Sequence, residues 1–145
     1  DGMLVLGTNI LVAALWSRNG ASFRLMRAAI EGRLPIATSV ALVLEYEAVL
    51  KRAAMREASW ASTAELDILL DGLIARSVRI NPVRVRIRPT LGDPDDEMVL
   101  ECAIQSGATA IATMNIRDFA VPARLYRIAI WTPGEALAWL ERNEI

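Results

Sequence analysis

The chain predicts an α/β domain in which a parallel sheet is covered by helices on both faces, a three-layer α/β/α sandwich. Three observations lead there. Short apolar runs bounded by small or polar residues alternate with longer amphipathic runs, and alternation of this kind builds parallel sheets. A length of 145 residues suits a single domain and buries about two thirds of the unfolded surface. Hydrophobic residues make up 54% of the chain, enough for a well-covered core.

The elements follow in order. Met3 to Leu6 reads as a buried strand, and Ile10 to Leu15 as a helix after Thr8-Asn9. Ala21 to Glu31 is helical, with Phe23, Met26, Ala29 and Ile30 on one apolar face and Gly32 as its stop. Leu34 to Thr38 is a short strand, after which Ser39 caps a helix running to about Met55. Ser62 or Thr63 caps the next helix, whose apolar side is Leu66, Leu69, Leu70, Leu73 and Ile74. Val78 to Ile80 is a strand, and 81–92 is irregular, with Pro82, Pro89 and Gly92. Asp93 starts a helix that Gly107 ends. Strands at 110–113 and 127–131 are joined by a short turn, and Pro133 opens a last helix to Arg142. No repeat or linker interrupts 3–145, and Asp1-Gly2 ahead of Met3 read as a cloning remnant.

Composition excludes several chemistries. Histidine is absent, which removes serine–histidine and cysteine–histidine catalysis and most zinc sites. The single cysteine, Cys102, has no internal partner, so a reducing, cytoplasmic compartment is expected. The apolar opening from Met3 to Trp16 lacks a basic leader and is too short to span a bilayer, so no membrane role is expected. With a net charge of −1, any nucleic-acid contact must come from a local patch. Chemistry, if present, falls to carboxylates.

Topology gathers the polar residues. In a parallel sheet the residues just past each strand collect along one edge, where open α/β sheets bind ligands. That edge receives Gly7-Thr8-Asn9, Thr38-Ser39, the opening of the helix at Asp93 to Glu97, and Thr113 to Asp118. Glu45 has Ala41, Leu42, Ala48 and Val49 as its helical neighbours, which directs it inward, toward a partner such as a cation. A helix apolar most of the way round, with Glu45 reaching to solvent, is the other reading. Asp93, Asp95, Asp96 and Glu97 form a good helix start, yet four acids in five residues exceed what capping needs. Asp96 is the expected site acid, with Glu97 as its substitute. Arg84, Arg86 and Arg88 alternate along an extended segment, either as a solvated edge that neutralises nearby acids or as a phosphate contact.

Four pieces carry a resemblance. They are Leu6-Gly7-Thr8-Asn9, Ser39 with Leu44-Glu45-Tyr46, Asp93-Pro94-Asp95-Asp96 with Leu100-Glu101-Cys102-Ala103, and Thr113 to Phe119. In this order and spacing the chain resembles the PIN-domain family, in particular the bacterial toxin components of toxin–antitoxin pairs. The likeness runs from about Met3 to Leu140. It implies a five-stranded parallel sheet in the order 3-2-1-4-5. It also implies a Mg2+- or Mn2+-dependent endoribonuclease cutting single-stranded RNA, homodimeric and held silent by an antitoxin protein. By position it implies that Glu45, Asp96 and Asp118 bind the metal. Asn115 falls where the family usually carries an acid, and Thr8, Asn9, Ser39 and Thr113 match supporting polar residues.

Gly7 is the departure. The family pattern there is Leu-Asp-Thr-Asn, so glycine stands where the first catalytic acid is expected. An impaired nuclease is therefore expected, and a non-catalytic module that binds an antitoxin or RNA is its rival. A nucleotide-binding domain is disfavoured, because no Gly-rich phosphate loop follows the first strand.

Overall fold

A computed structural model describes residues 2–80 and 94–144. Among these, five short strands and seven helices alternate. The strands are β1 (Leu4–Leu6), β2 (Ala37–Ser39), β3 (Val78–Ile80), β4 (Ala110–Ala112) and β5 (Ala129–Trp131). The helices are α1 (Thr8–Trp16), α2 (Ala21–Ile30), α3 (Val40–Ala54), α4 (Thr63–Arg76), α5 (Pro94–Ser106), α6 (Ile116–Leu125) and α7 (Pro133–Asn143). The α/β class with a parallel sheet is as expected.

The sheet itself differs from the expectation of five continuous strands. β1, β4 and β5 form one parallel sheet in the order β1-β4-β5, and β2 and β3 pair separately. The two sheets meet at a single parallel bridge, Leu4 to Ile36, where the Leu4 N–H donates to Pro35 O at 3.0 Å. Beyond the bridge, the next strand position that faces β2 is Leu6. Peptide groups alternate sides along a strand, so the Leu6 carbonyl faces β2 as Leu4 does. That carbonyl accepts instead from the Tyr46 hydroxyl. Meanwhile β2 ends at Ser39, which turns directly into α3.

Burial of the strands shows which are central. β1, β2 and β4 are buried at every residue, so both of their faces are covered. β3 and β5 are more exposed. Helix α5 packs on β1, β2 and β4, while α1, α2, α3 and α4 pack on one another and α7 packs on α2. The core runs from Leu4, Val5 and Leu6 through Leu11, Leu25 and Leu42 to Leu100 and Ile111.

Local chemistry sets the helix boundaries. Ser39 caps α3 by accepting from the Leu42 N–H at 3.1 Å. Ser62, rather than Thr63, caps α4 in a reciprocal box with Glu65. Thr132 and Glu135 repeat that box on α7. Gly32 (φ 80°) and Gly107 (φ 69°) end α2 and α5 in left-handed geometry that favours glycine. The buried stripe of α2 is Ser22, Leu25, Met26 and Ala29, so Phe23 and Ile30 flank it instead of centring it.

Helix α6 replaces the expected short turn. Its sequence carries Pro122 at an interior position, which ordinarily costs about 3 kcal/mol or more. Burial of Phe119 offsets about 1.5–3 kcal/mol of that. Packing of α6 on β5 and α5 adds the remainder that local propensity lacks. No helix among the described residues is long and apolar enough to cross a membrane.

The capping box of α4 gives a direct stability prediction. Ser62→Ala leaves the first-turn amides of α4 without their side-chain acceptor. It is expected to lower stability by about 1 kcal/mol. The corresponding fall in thermal midpoint is about 3–4 °C, read by circular dichroism. An unchanged midpoint would show that the box is idle.

Candidate functional site

Parallel pairing places the ends of β1 and β4 side by side, with Leu6 opposite Ala112. Residues just past these ends are then drawn together by hydrogen bonds. The Gly7 N–H donates to Ala112 O at 2.8 Å. The Asn9 side-chain Oδ1 accepts from the Met114 N–H at 3.4 Å. Thr113 is buried, its N–H donates to Trp131 O at 2.9 Å, and its Oγ1 accepts from the Asn115 N–H at 3.0 Å. The Asp118 N–H in turn donates to Asn115 O at 3.1 Å as α6 begins. Gly7, Asn9, Thr113, Asn115 and Asp118 thus occupy one continuous edge.

Gly7 does not use the freedom of glycine. It is the N-cap of α1, with φ −65° and ψ 147°, an extended conformation open to any residue. A Cβ placed there would lie 3.2 Å from Ala112 O and from Asn9 Oδ1, and 3.3 Å from Thr113 Cβ. Such contacts require the neighbours to yield by a few tenths of an ångström. The Asn9 side chain can rotate, at the cost of its bond to the Met114 N–H, whereas Ala112 O is backbone, so a small backbone shift is needed as well. A short side chain at residue 7 would therefore enter the space between Asn9 and Thr113. Beside it, the Thr8 hydroxyl is buried with no hydrogen-bond partner among the described residues.

The other expected acids come from separate helices. Glu45 is half-buried on α3. The inward face of that helix is Leu42, Tyr46, Leu50 and Ala53, while Ala41 and Ala48 are exposed. Glu45 thus lies at the margin of the buried face. Asp96 is half-buried on α5, with its Oδ2 sealed from solvent. Asp118 and Asn115 are exposed. Ser39 is buried and its Oγ serves α3 as the cap. Asp93, Arg84, Arg86 and Arg88 lie outside the described residues.

A donor set of carboxylate oxygens suits a hard divalent ion such as Mg2+ or Mn2+. Yet no three Asp, Glu, Cys or His side chains among the described residues group closely enough to hold an ion. Glu45, Asp96 and Asp118 are all within that searched set. Two features account for this. Asp118 stands exposed in the first turn of a helix, and residue 7 contributes no carboxylate between the strands. Oxygen donors of this kind suit such an ion, yet among the described residues they are not gathered around one point.

Two buried acids were less legible in the sequence. Glu97 and Glu101 are each only 3% exposed, one turn apart on α5. Glu97 had been the substitute for Asp96, and Glu101 was only part of a matching piece. Val99, Leu100, Cys102 and Ala103 are buried as well, so α5 is covered on most sides, and that apolar run was the available signal.

Burial also shapes two further groups. It pushes the Cys102 thiol from its ordinary 9.0 up to about 12, against the opposing pull of a hydrogen bond with the Ser39 side chain. It raises the Tyr46 phenol well above its ordinary 10.0, and nearby Cys102 adds to the effect. Both folded values are raised, so their stabilisation is whole below the unfolded values and lost as pH climbs toward the folded ones. For Cys102 the window lies between 9.0 and about 12. Urea midpoints are therefore expected to fall above about pH 9. Cys102 alone accounts for about 2 kcal/mol by about pH 10.5, and Cys102→Ala should remove that share. A flat profile would contradict the burial of the thiol.

Comparison with curated proteins returns no match. A family model described as the PIN domain matches residues 3–117, most of the chain and every described element from β1 to β4. The parallel strands, the helix-borne acids and the polar edge beyond β1 and β4 accord with that match, and the chain belongs to the PIN domain family.

Proposed function

We propose that this chain is a PIN-type ribonuclease with an incomplete ion site, acting on single-stranded RNA with Mg2+ or Mn2+ and impaired by Gly7. One observation carries the reading. Residue 7 occupies unstrained backbone at the meeting of β1 and β4, beside Asn9 and Thr113, yet it offers no side chain. Family membership supports nuclease chemistry and the use of divalent ions.

Each residue has a task in this reading. Glu45 from α3 and Asp96 from α5 hold the ion through hard oxygen ligands. Asp118 and Asn115, at the rim, act through water or orient ligands. Asn9, Thr8, Ser39 and Thr113 fix the backbone around the pocket, and Arg84, Arg86 and Arg88 meet phosphate. A divalent ion bound there lowers the pKa of a coordinated water and offsets phosphate charge. The protein's own contribution is to place these oxygens so that water and phosphate face each other. A further part of the reading is a cytoplasmic, homodimeric toxin silenced by an antitoxin, which rests on the resemblance.

The rival reading, a non-catalytic module that binds an antitoxin or RNA, is favoured by the same glycine and by the lack of a three-acid group among the described residues. Nuclease ancestry accounts for more of the site, since the polar frame around residue 7 is intact.

The test restores the acid. Gly7→Asp should be tolerated, because the backbone is extended and aspartate is a good N-cap. Cleavage of single-stranded RNA in Mn2+ is expected to rise by about 100-fold or more over the unaltered sequence. Glu45→Gln or Asp96→Asn in that background should abolish the gain. No gain from a folded Gly7→Asp protein would defeat the nuclease reading. RNA or partner binding retained without cleavage would favour the rival.

A further inference from the structure

Helix α1 leaves the strand-end edge with one face uncovered among the described residues. Ile10, Leu11, Ala14 and Leu15 are buried, whereas Asn9, Val12, Ala13 and Trp16 are not. Spacings of three and four residues set these last four in one line along the helix. The line begins at the edge, because Asn9 Oδ1 accepts from the Met114 N–H at 3.4 Å. It ends about 10 Å away at Trp16, which is 45% exposed. No charged residue lies on α1.

Both ends of the line add cations and apolar surface. At the near end Met114 is exposed, and Arg117 is exposed in the first turn of α6. At the far end the Trp60 backbone N–H donates to Leu15 O at 3.0 Å, and its indole N–H donates to Ala14 O at 2.7 Å. These bonds fix the ring against the last turn of α1. Phe23 meets that ring edge-on with centroids 5.7 Å apart, and the Arg18 guanidinium lies 4.5 Å from its centroid. A guanidinium stacked in this way is held in place with its charge intact. Two acids stand nearby, Glu65 close enough to Arg18 to interact electrostatically and Asp118 exposed at the near end. Neither lies on α1.

The composition of the face selects its occupant. A protein covering it would meet only Val12 and Ala13 as aliphatic side chains, too little for a stable contact. Single-stranded RNA requires flat rings for bases, guanidinium groups for phosphates and no acid along the path. Resting on the RNA substrate named under Proposed function, we propose that the Asn9–Trp16 face of α1 is a track for single-stranded RNA leading away from the strand-end edge. Trp16 stacks on a base, and Arg117 and Arg18 meet phosphates at the two ends. The small side chains of Val12 and Ala13 leave room for the strand between them. Binding along the track needs no metal ion.

The experiment measures fluorescence anisotropy of a labelled oligouridylate in EDTA. It compares the unaltered chain with Trp16→Ala, Trp16→Phe, Arg117→Ala and Ile68→Ala. Ile68 is the control, an exposed apolar residue on α4. Trp16→Ala is expected to weaken binding about tenfold, and Trp16→Phe to restore most of it. Arg117→Ala should reduce the salt dependence by about one phosphate contact, a slope change of about 0.7. Ile68→Ala should bind as the unaltered chain does. Equal affinity in Trp16→Ala and the unaltered chain, an equal loss in Ile68→Ala, or no RNA binding by the unaltered chain would overturn the proposal. So would a change of oligomeric state in Trp16→Ala at unchanged RNA affinity, which would make the face a protein contact. Failure of the nuclease reading is distinct. If Gly7→Asp cleaves nothing while RNA binding still depends on Trp16, the track stands and the nuclease reading falls.

Discussion

The peptide between Leu6 and Gly7 is held from both sides, and the architecture around it follows. Its carbonyl goes to Tyr46 of α3, and its N–H goes to Ala112 of β4. Neither group can be left open at little cost, since an unsatisfied buried peptide group costs about 1–3 kcal/mol. The first bond ties the end of β1 to α3 on the side that faces β2. Here the sheet divides, with three strands on one side, two on the other and one bridge between. The second bond delivers residue 7 to the strand end beside Thr113 and Asn9. One peptide thus links β1 to both α3 and β4 at the point where the sheet divides.

Electrostatics explain why that position matters. Glu97 and Glu101 are buried on α5, and Asp96 keeps one oxygen away from solvent. An acid added at residue 7 would deepen the negative potential at this edge, and a divalent ion would relieve it. Without that acid, the ion-free chain is spared some like-charge repulsion. Sites built for chemistry commonly give up stability in this way, and losing a member of the site recovers part of it.

Much of the fold was legible because its signals are local. Ser39 and Ser62 announced their helices, Gly32 and Gly107 ended theirs, and the three-residue strands at 4–6 and 110–112 stood out as apolar runs. Helix α6 was not legible, since Pro122 opposes a helix locally and the compensating burial of Phe119 is tertiary. The divided sheet was hidden for a similar reason: strand pairing and the Tyr46 bond at the end of β1 are both long-range, the latter joining residues 40 apart in the chain. For the site, strand ends announced Gly7, Asn9 and Thr113, whose positions follow from topology. Glu45 was harder to place. Alanine and valine surround α3 so evenly that periodicity alone put it on the inward face, whereas Leu42, Tyr46 and Leu50 define that face and leave Glu45 at the margin. The depth of Glu97 was obscured because an acid near a helix start is explained well enough by capping.

The central proposal is that an acid at residue 7 completes an ion site with the helix-borne acids. Anomalous diffraction from Mn2+-soaked crystals of Gly7→Asp tests it most directly. The account predicts one peak at about 2.1 Å from an oxygen of the introduced carboxylate, shared with Glu45 or Asp96. A peak elsewhere on the surface, or none in a well-ordered crystal, would contradict it.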